Sequence, residues 1–246
     1  MSEPLVQSGI CHSIPQTNCA DCRLAGICLP ISLAIEDIDK LENIIQRGRP
    51  THKKEHVYHA GDEFSSVYAV HSGAVKTIKI TEDGIEQITG FHLPGEIIGI
   101  DGLATNVHSN SAIALETSSI CEIPFNRLEE LSVKIPNLQR RFFQLMSKEI
   151  AEDQKLITML SKNSAEERIA ALLLSISVRN QQRGLSSKEF HLPMSRSDIG
   201  NYLGLTIETV SRIFTRLNKN GVIDLDKKHI KINDIDALKT SSYCSG

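Results

Sequence analysis

Ser195-Arg196-Ser197-Asp198-Ile199-Gly200-Asn201-Tyr202-Leu203-Gly204-Leu205-Thr206 reads as a capped helix, a glycine-containing turn and the cap of a second helix. Ser195 can cap the first helix, and Thr206 is a suitable N-cap for the second, Ile207 to Lys219, which stops at Asn220-Gly221. Two short helices joined by a three- or four-residue turn form a helix-turn-helix, whose second helix enters the major groove. On that helix Val210, Ile213, Phe214 and Leu217 occupy the packing face. Glu208, Ser211, Arg212 and Arg216 share a polar face, and Ser197 and Thr206 start the two helices. The residue types suit base reading. Arginine can donate twice to guanine, glutamate accepts from cytosine, and serine does either. A solvated helix face with a Glu208–Arg212 pair is the plainer alternative.

The flanking sequence favours DNA. Strand-like Phe190–Leu192 precedes the pair, and a hairpin follows it, Val222–Leu225 and Ile230–Ile232, around Asp226-Lys227-Lys228-His229. Lys227, Lys228 and Lys231 are placed to touch phosphate, which fixes register without reading sequence. The chain as a whole carries a net charge of −3, but residues 164–246 hold more Lys and Arg than Asp and Glu. A basic module on an acidic body fits a nucleic-acid binder.

Upstream, short β-branched runs broken by glycines occupy residues 50–125: Ser66–His71, Ala74–Ile80, Gln87–Phe91, Ser111–Leu115 and Ser119–Ile123. Asp83-Gly84 marks a tight turn between two of them. Such strands predict a sandwich or jelly-roll barrel, preceded by a helix from about Ile35 to Ile45. Pro136 opens a helical pattern reaching about Lys162. Its Met146, Ile150, Asp153, Ile157 and Leu160 alternate by four and three, a seam suited to a second copy of the chain. Asp153 would face its twin there, and two carboxylates forced together repel, so the dimer would be marginal. The alternative is that this face packs on its own barrel. The expected fold class is α+β, with units at 1–30 (cysteine-rich), 31–135 (barrel), 136–162 (dimerisation helix) and 163–246 (winged helix).

Met1 to Ile10 has no basic start followed by an apolar stretch, and no apolar run approaches the roughly 20 residues of a membrane span, so a cytoplasmic protein with no membrane partner is expected. In that compartment six cysteines read as ligands or redox groups rather than disulfides. Cys19, Cys22 and Cys28 lie close together in a segment without periodicity. A set of four thiolates suits zinc or an iron–sulfur cluster. Cys121 is the first candidate for a fourth ligand and Cys11 the second. Structural zinc and thiol–disulfide sensing are the competing chemistries. Cys244 reads as a bystander, and His12 as an exposed loop residue. No Ser-His-Asp set, P-loop or dinucleotide fingerprint is found, so no enzyme is expected.

The order barrel, long helix, winged helix, with Glu208-x-x-Ser211-Arg212 on the reading helix, resembles the superfamily of the cyclic-AMP receptor protein and the fumarate–nitrate reduction regulator. Cysteines at 19, 22, 28 and 121 resemble the second branch. The resemblance covers nearly the whole chain. It implies an oxygen-responsive transcriptional activator with a 4Fe-4S cluster on Cys19, Cys22, Cys28 and Cys121, and Cys11 not a ligand. It also implies a homodimer when the cluster is present, binding to a two-fold symmetric DNA site, and loss of both when oxygen destroys the cluster. Glu208, Ser211 and Arg212 would contact bases. The turn carrying Asp83, Gly84, Ile85 and Glu86, with a loop near residues 117–119, would touch RNA polymerase. Cyclic-nucleotide binders of the superfamily carry a glutamate and an arginine after the barrel's Gly-Glu turn. Here Ile100 and Ser109 or Asn110 stand in their places, so no cyclic nucleotide is expected to bind. A zinc, thiol-redox or small-molecule regulator of the same architecture is the alternative.

Overall fold

A computed structural model describes residues 18–31 and 33–243, with side chains to residue 240. After a 3-10 turn at Cys19–Asp21, helix α1 (Ile35–Glu42) leads into eight strands. These are β1 (Gln46–Arg47), β2 (His56–Tyr58), β3 (Ser66–Ser72), β4 (Val75–Ile80), β5 (Glu86–His92), β6 (Ile97–Ile98), β7 (Ser111–Ala114) and β8 (Ser119–Pro124). They form two four-stranded sheets, ordered β1-β8-β3-β6 and β2-β7-β4-β5, with every pair antiparallel. The α+β class and the sheet sandwich agree with the sequence reading. Gly84 takes a φ of 76°, as the turn between β4 and β5 requires.

Alternation along the strands sets which face meets which neighbour. Val70 and Ile98 of one sheet meet Tyr58, Val75 and Ala112 of the other in the sandwich interior. Val67, Ala69, Cys121 and Ile123 point the opposite way, into a cluster with Leu29, Leu41, Leu128, Leu138 and Phe142. Cys121 therefore faces the cysteine-rich segment and not the barrel interior. The outer face of the second sheet, through Ile78, Ile88 and Phe91, joins the core of the C-terminal part.

Helix α2 (Phe125–Lys134), which the strand pattern did not reveal, packs through Leu128 on the outer face of the first sheet. Helix α3 (Pro136–Lys162) follows, with Pro136 at its first turn, where a missing N–H costs nothing. Helix α1 ends at Glu42, short of the expected Ile45, because the chain must straighten into β1. Helix α4 (Ala165–Gln182) starts at a capping box between Ser164 and Glu167. The remainder is β9 (Glu189–His191), α5 (Arg196–Leu203), α6 (Ile207–Lys219), β10 (Ile223–Asp226), β11 (His229–Ile232) and α7 (Ile235–Tyr243). Strands β10-β11-β9 form the wing. Its tight turn is Lys227-Lys228 alone, since Asp226 and His229 pair as strand residues. Among the described residues no helix is long and apolar enough to cross a membrane.

Candidate functional site

The helix-turn-helix is fixed by caps at both starts. Ser195 Oγ accepts from the Asp198 N–H at 3.1 Å while Asp198 accepts from the Ser195 N–H at 2.9 Å. Thr206 Oγ1 accepts from the Thr209 N–H at 3.2 Å. Gly200 is required by the turn, because a Cβ there would lie 2.6 Å from the Leu205 carbonyl oxygen. Val210, Ile213, Phe214 and Leu217 are buried, each worth about 1.5–3 kcal/mol, and anchor α6. The opposite face leaves Glu208, Ser211 and Arg212 exposed. Arg212 forms no ion pair or hydrogen bond among the described residues, so the Glu208–Arg212 pair of the plainer reading is not formed. The Glu208 carboxyl is held below its usual range by its own N–H at the helix start and by Thr206. Ser197 and Thr206 are also exposed, whereas Arg216 is engaged by Glu166. Arg196 lies 3.4 Å over the Phe214 ring. One of the lysines expected at phosphate has a partner within the chain. Lys228 Nζ donates to the Pro193 carbonyl at 2.6 Å and is committed within the wing.

At the other end, the four expected cysteines come together. Cys19, Cys22, Cys28 and Cys121 are free thiols and line one cavity with Leu24, Leu29, Ile123 and Arg47. No three His, Cys, Asp or Glu side chains among the described residues are arranged to hold a single metal ion. Four soft donors around the wall of an apolar cavity fit a polynuclear cluster, which takes one thiolate per iron. Burial pushes the Cys28 thiol up to about 12 and raises Cys19 and Cys121 as well. Such groups are inert as free thiols and deprotonate on binding a metal. Cys11, His12 and Cys244 lie outside the described residues.

Three residues that sequence reasoning missed support this cavity. Glu42 accepts from the Cys19 N–H at 2.9 Å and pairs with Arg47 at 2.5 Å and 2.9 Å. Arg47 also donates to Cys19 Sγ at 3.7 Å, and stands directly opposite Cys121 in the β1–β8 ladder. Arg47 holds the Glu42 carboxyl down at about 2. Arg141, on α3, donates to the carbonyls of Ile27 and Cys28 at 2.5 Å and 3.1 Å. These partners are separated in sequence by as many as 114 residues, beyond the reach of any local pattern.

Along α3 the expected seam is largely uncovered. Ile150 is 58% and Ile157 65% exposed, Asp153 is exposed, and Met146 and Leu160 are half-buried. Phe143, one heptad before Ile150 and 57% exposed, extends the stripe. On the β4–β5 turn Asp83, Gly84 and Ile85 are exposed. Glu86 is less free, since it pairs with Lys76 at 2.8 Å and its carbonyl accepts from Asn201 at 2.7 Å. In the neighbouring loop Thr117 is exposed but Ser118 is fully buried. Between β6 and β7, Asp101 accepts from the Ser109 N–H at 2.7 Å, the Ser109 hydroxyl at 3.1 Å and the Asn110 N–H at 2.9 Å. These donors, which could have gripped an anion, are taken by the chain's own carboxylate.

Comparison with known proteins bears on the fold and on the helix-turn-helix. Residues 167–241 match the Crp-like helix-turn-helix domain and residues 49–134 the cyclic nucleotide-binding domain. The chain is 53% identical over 235 residues to the transcriptional activator protein anr of Pseudomonas aeruginosa, covering 96% of each. It is 48% identical over 233 residues to the fumarate and nitrate reduction regulatory protein of Escherichia coli, covering 95% of this chain and 92% of that one. Among solved structures, FixK2 from Bradyrhizobium japonicum superposes with a TM-score of 0.75 at 28% identity, covering 82% of this chain and all of that one.

Proposed function

The chain belongs to the fumarate and nitrate reduction regulators, DNA-binding transcriptional activators and not enzymes, and from that premise we propose an oxygen-responsive regulator whose ligands are Cys19, Cys22, Cys28 and Cys121. The observation that carries this reading is the meeting of these four thiols in one apolar cavity, from segments 93 residues apart. When bound there, a 4Fe-4S cluster supplies a crosslink between the 19–28 segment and β8 that oxygen dismantles.

The chain's own residues carry the signal onward. Arg141 grips the carbonyls beside Cys28 from the first turns of α3, so ordering the cysteine segment orders the start of that helix. The exposed stripe Phe143, Ile150 and Ile157, with Met146, Asp153 and Leu160, then meets a second copy. Repulsion between paired Asp153 carboxylates keeps that dimer conditional. Two α6 helices presented together engage both halves of a symmetric site, where one alone binds too weakly. Glu208, Ser211 and Arg212 read bases, Ser197 and Thr206 contact the backbone, and Arg216 joins them on leaving Glu166. The exposed turn at Asp83, Gly84, Ile85 and Glu86 is the surface offered to RNA polymerase. With Asp101 filling its donors, and Ile100 and Ser109 or Asn110 in place of the glutamate and arginine, the cyclic-nucleotide fold serves without a nucleotide. The protein acts in the cytoplasm.

Anaerobic purification with iron and sulfide assay, followed by admission of air, tests this reading. About four irons and four sulfides per chain, and a broad visible absorbance that bleaches as dimers become monomers, are expected. A colourless protein with stoichiometric zinc, or with no metal, would overturn it.

A further inference from the structure

Arg47 is a buried cation placed where the cysteines converge. Its side chain is only 16% exposed and lines the same cavity as all four thiols. Nη2 donates to both Cys19 Sγ and Glu42, Nη1 donates to Glu42, and Nε is buried without a hydrogen-bond partner among the described residues. Strand pairing puts its backbone directly across from Cys121, so it spans the ligand from the N-terminal segment and the ligand from the sheet. Burying a guanidinium costs several kcal/mol unless negative charge compensates it. Glu42 balances that single positive charge. Four ligating thiolates would bring further negative charge, and the Arg47 nitrogen that reaches Cys19 Sγ would lie against it. His71 lines the same cavity, but burial and the nearby Arg47 and Arg23 favour its neutral form. Arg141 reaches the loop carbonyls of Ile27 and Cys28.

The geometry points to Arg47 as a positioning residue that sets how readily the cluster gives up an electron, with Glu42 as the counterweight that limits its effect. This inference rests on the cluster reading above. Hydrogen bonds and charge at the ligating sulfurs are established determinants of cluster potential. Dioxygen removes one electron from the cluster and leaves as superoxide, which makes the cluster more positive. A guanidinium against the sulfurs opposes that change, and a carboxylate against the guanidinium weakens the opposition.

The test compares Arg47→Gln and Glu42→Gln with wild type in anaerobically purified full-length protein. It follows bleaching in air-saturated buffer and the midpoint potential, with no reference to DNA binding. Arg47→Gln is expected to bleach several-fold faster and to have a lower potential. Glu42→Gln keeps an acceptor for the Cys19 N–H but removes the negative charge, so it is expected to bleach more slowly and to have a higher potential. A merely structural clamp would predict the opposite for Glu42→Gln, since loosening either partner would expose the cluster. Faster bleaching in both variants, or no change in either, overturns the inference. If Arg47→Gln takes up no iron, the sign of the Glu42→Gln change decides alone. Failure of the underlying reading is distinguishable, because wild type itself would then carry no iron and sulfide.

Discussion

Arg141 on α3 donates through Nε to the backbone carbonyl of Cys28 at 3.1 Å, so a helix that offers an uncovered apolar stripe is tied to the segment that carries three of the four proposed ligands. The contact is to backbone, which makes it sensitive to where the loop runs and not to which residues line it. Arg141→Ala should therefore retain iron and sulfide close to the wild-type content, yet sediment under anaerobic conditions with a larger monomer fraction. Arg141→Lys should recover part of the dimer, because one ammonium can reach one carbonyl but cannot span two. An Arg141→Ala protein that is as dimeric as wild type at full cluster content would remove this residue from the signalling route.

Asp153 sits on the same stripe, three residues after Ile150 and four before Ile157. Crowding by the protein already raises its carboxyl from the usual aspartate range within one chain. A second copy would crowd it further. Asp153→Ala should yield dimers in air, with DNA binding that no longer depends on the cluster. Analytical ultracentrifugation of the cluster-free variant is decisive, and a monomer would mean that Asp153 does not govern the equilibrium.

Glu149, one turn before Asp153, gives a pH dependence with a definite sign. Glu149 is an exposed residue, but crowding of its carboxyl by the surrounding protein, then Asp153, Glu152 and Glu96, push it up to about 7, with Arg179 acting against them. A carboxyl raised on folding penalises the folded state when charged, so the penalty is full above that value and is relieved as pH falls toward the ordinary glutamate range. Thermal stability should accordingly rise between pH 8 and about 6, and Glu149→Gln should flatten the profile in that window. His92, depressed to about 4 by burial, stays neutral throughout and does not compete. Parallel profiles for wild type and Glu149→Gln would show that Glu149 does not titrate there.

What the sequence made legible was whatever repeats or caps locally. The helix-turn-helix could be read because Ser195, Gly200 and Thr206 each answer a requirement within a few residues of themselves. The long helix announced itself through Pro136 and a four-and-three spacing that begins at Met146 and so omits Phe143. Helix α2 was hidden behind β8, since Phe125–Lys134 is short and opens at Pro124 without a side-chain cap. The close spacing of Cys19, Cys22 and Cys28 was visible in the sequence, and only the family resemblance excludes Cys11 in favour of Cys121 as their companion. The supporting contacts were not visible, because Arg47, Glu42 and Arg141 acquire their partners only once the first sheet has formed and α1 and α3 have packed on its outer face. The commitment of Lys228 to Pro193 was invisible for the same reason.

Arg212 and Lys228 make a contrast that tests the DNA interface residue by residue. Arg212 is exposed on the polar face of α6 with no partner among the described residues, so its donors are available to a base edge. Arg212→Ala should weaken binding to the symmetric site by about 1–3 kcal/mol per half-site and relax discrimination at one base pair in each half. Lys231, exposed on β11, should instead contribute through phosphate. Lys231→Ala would lower affinity evenly across sequences and reduce the slope of log affinity against log salt by roughly 1 for each subunit. Lys228→Ala should leave that slope unchanged, because its ammonium is already spent on the Pro193 carbonyl, and should lower the thermal stability of the wing. A salt slope that falls with Lys228→Ala would show that the ammonium leaves Pro193 for phosphate on binding, and that the wing rearranges as it meets the duplex.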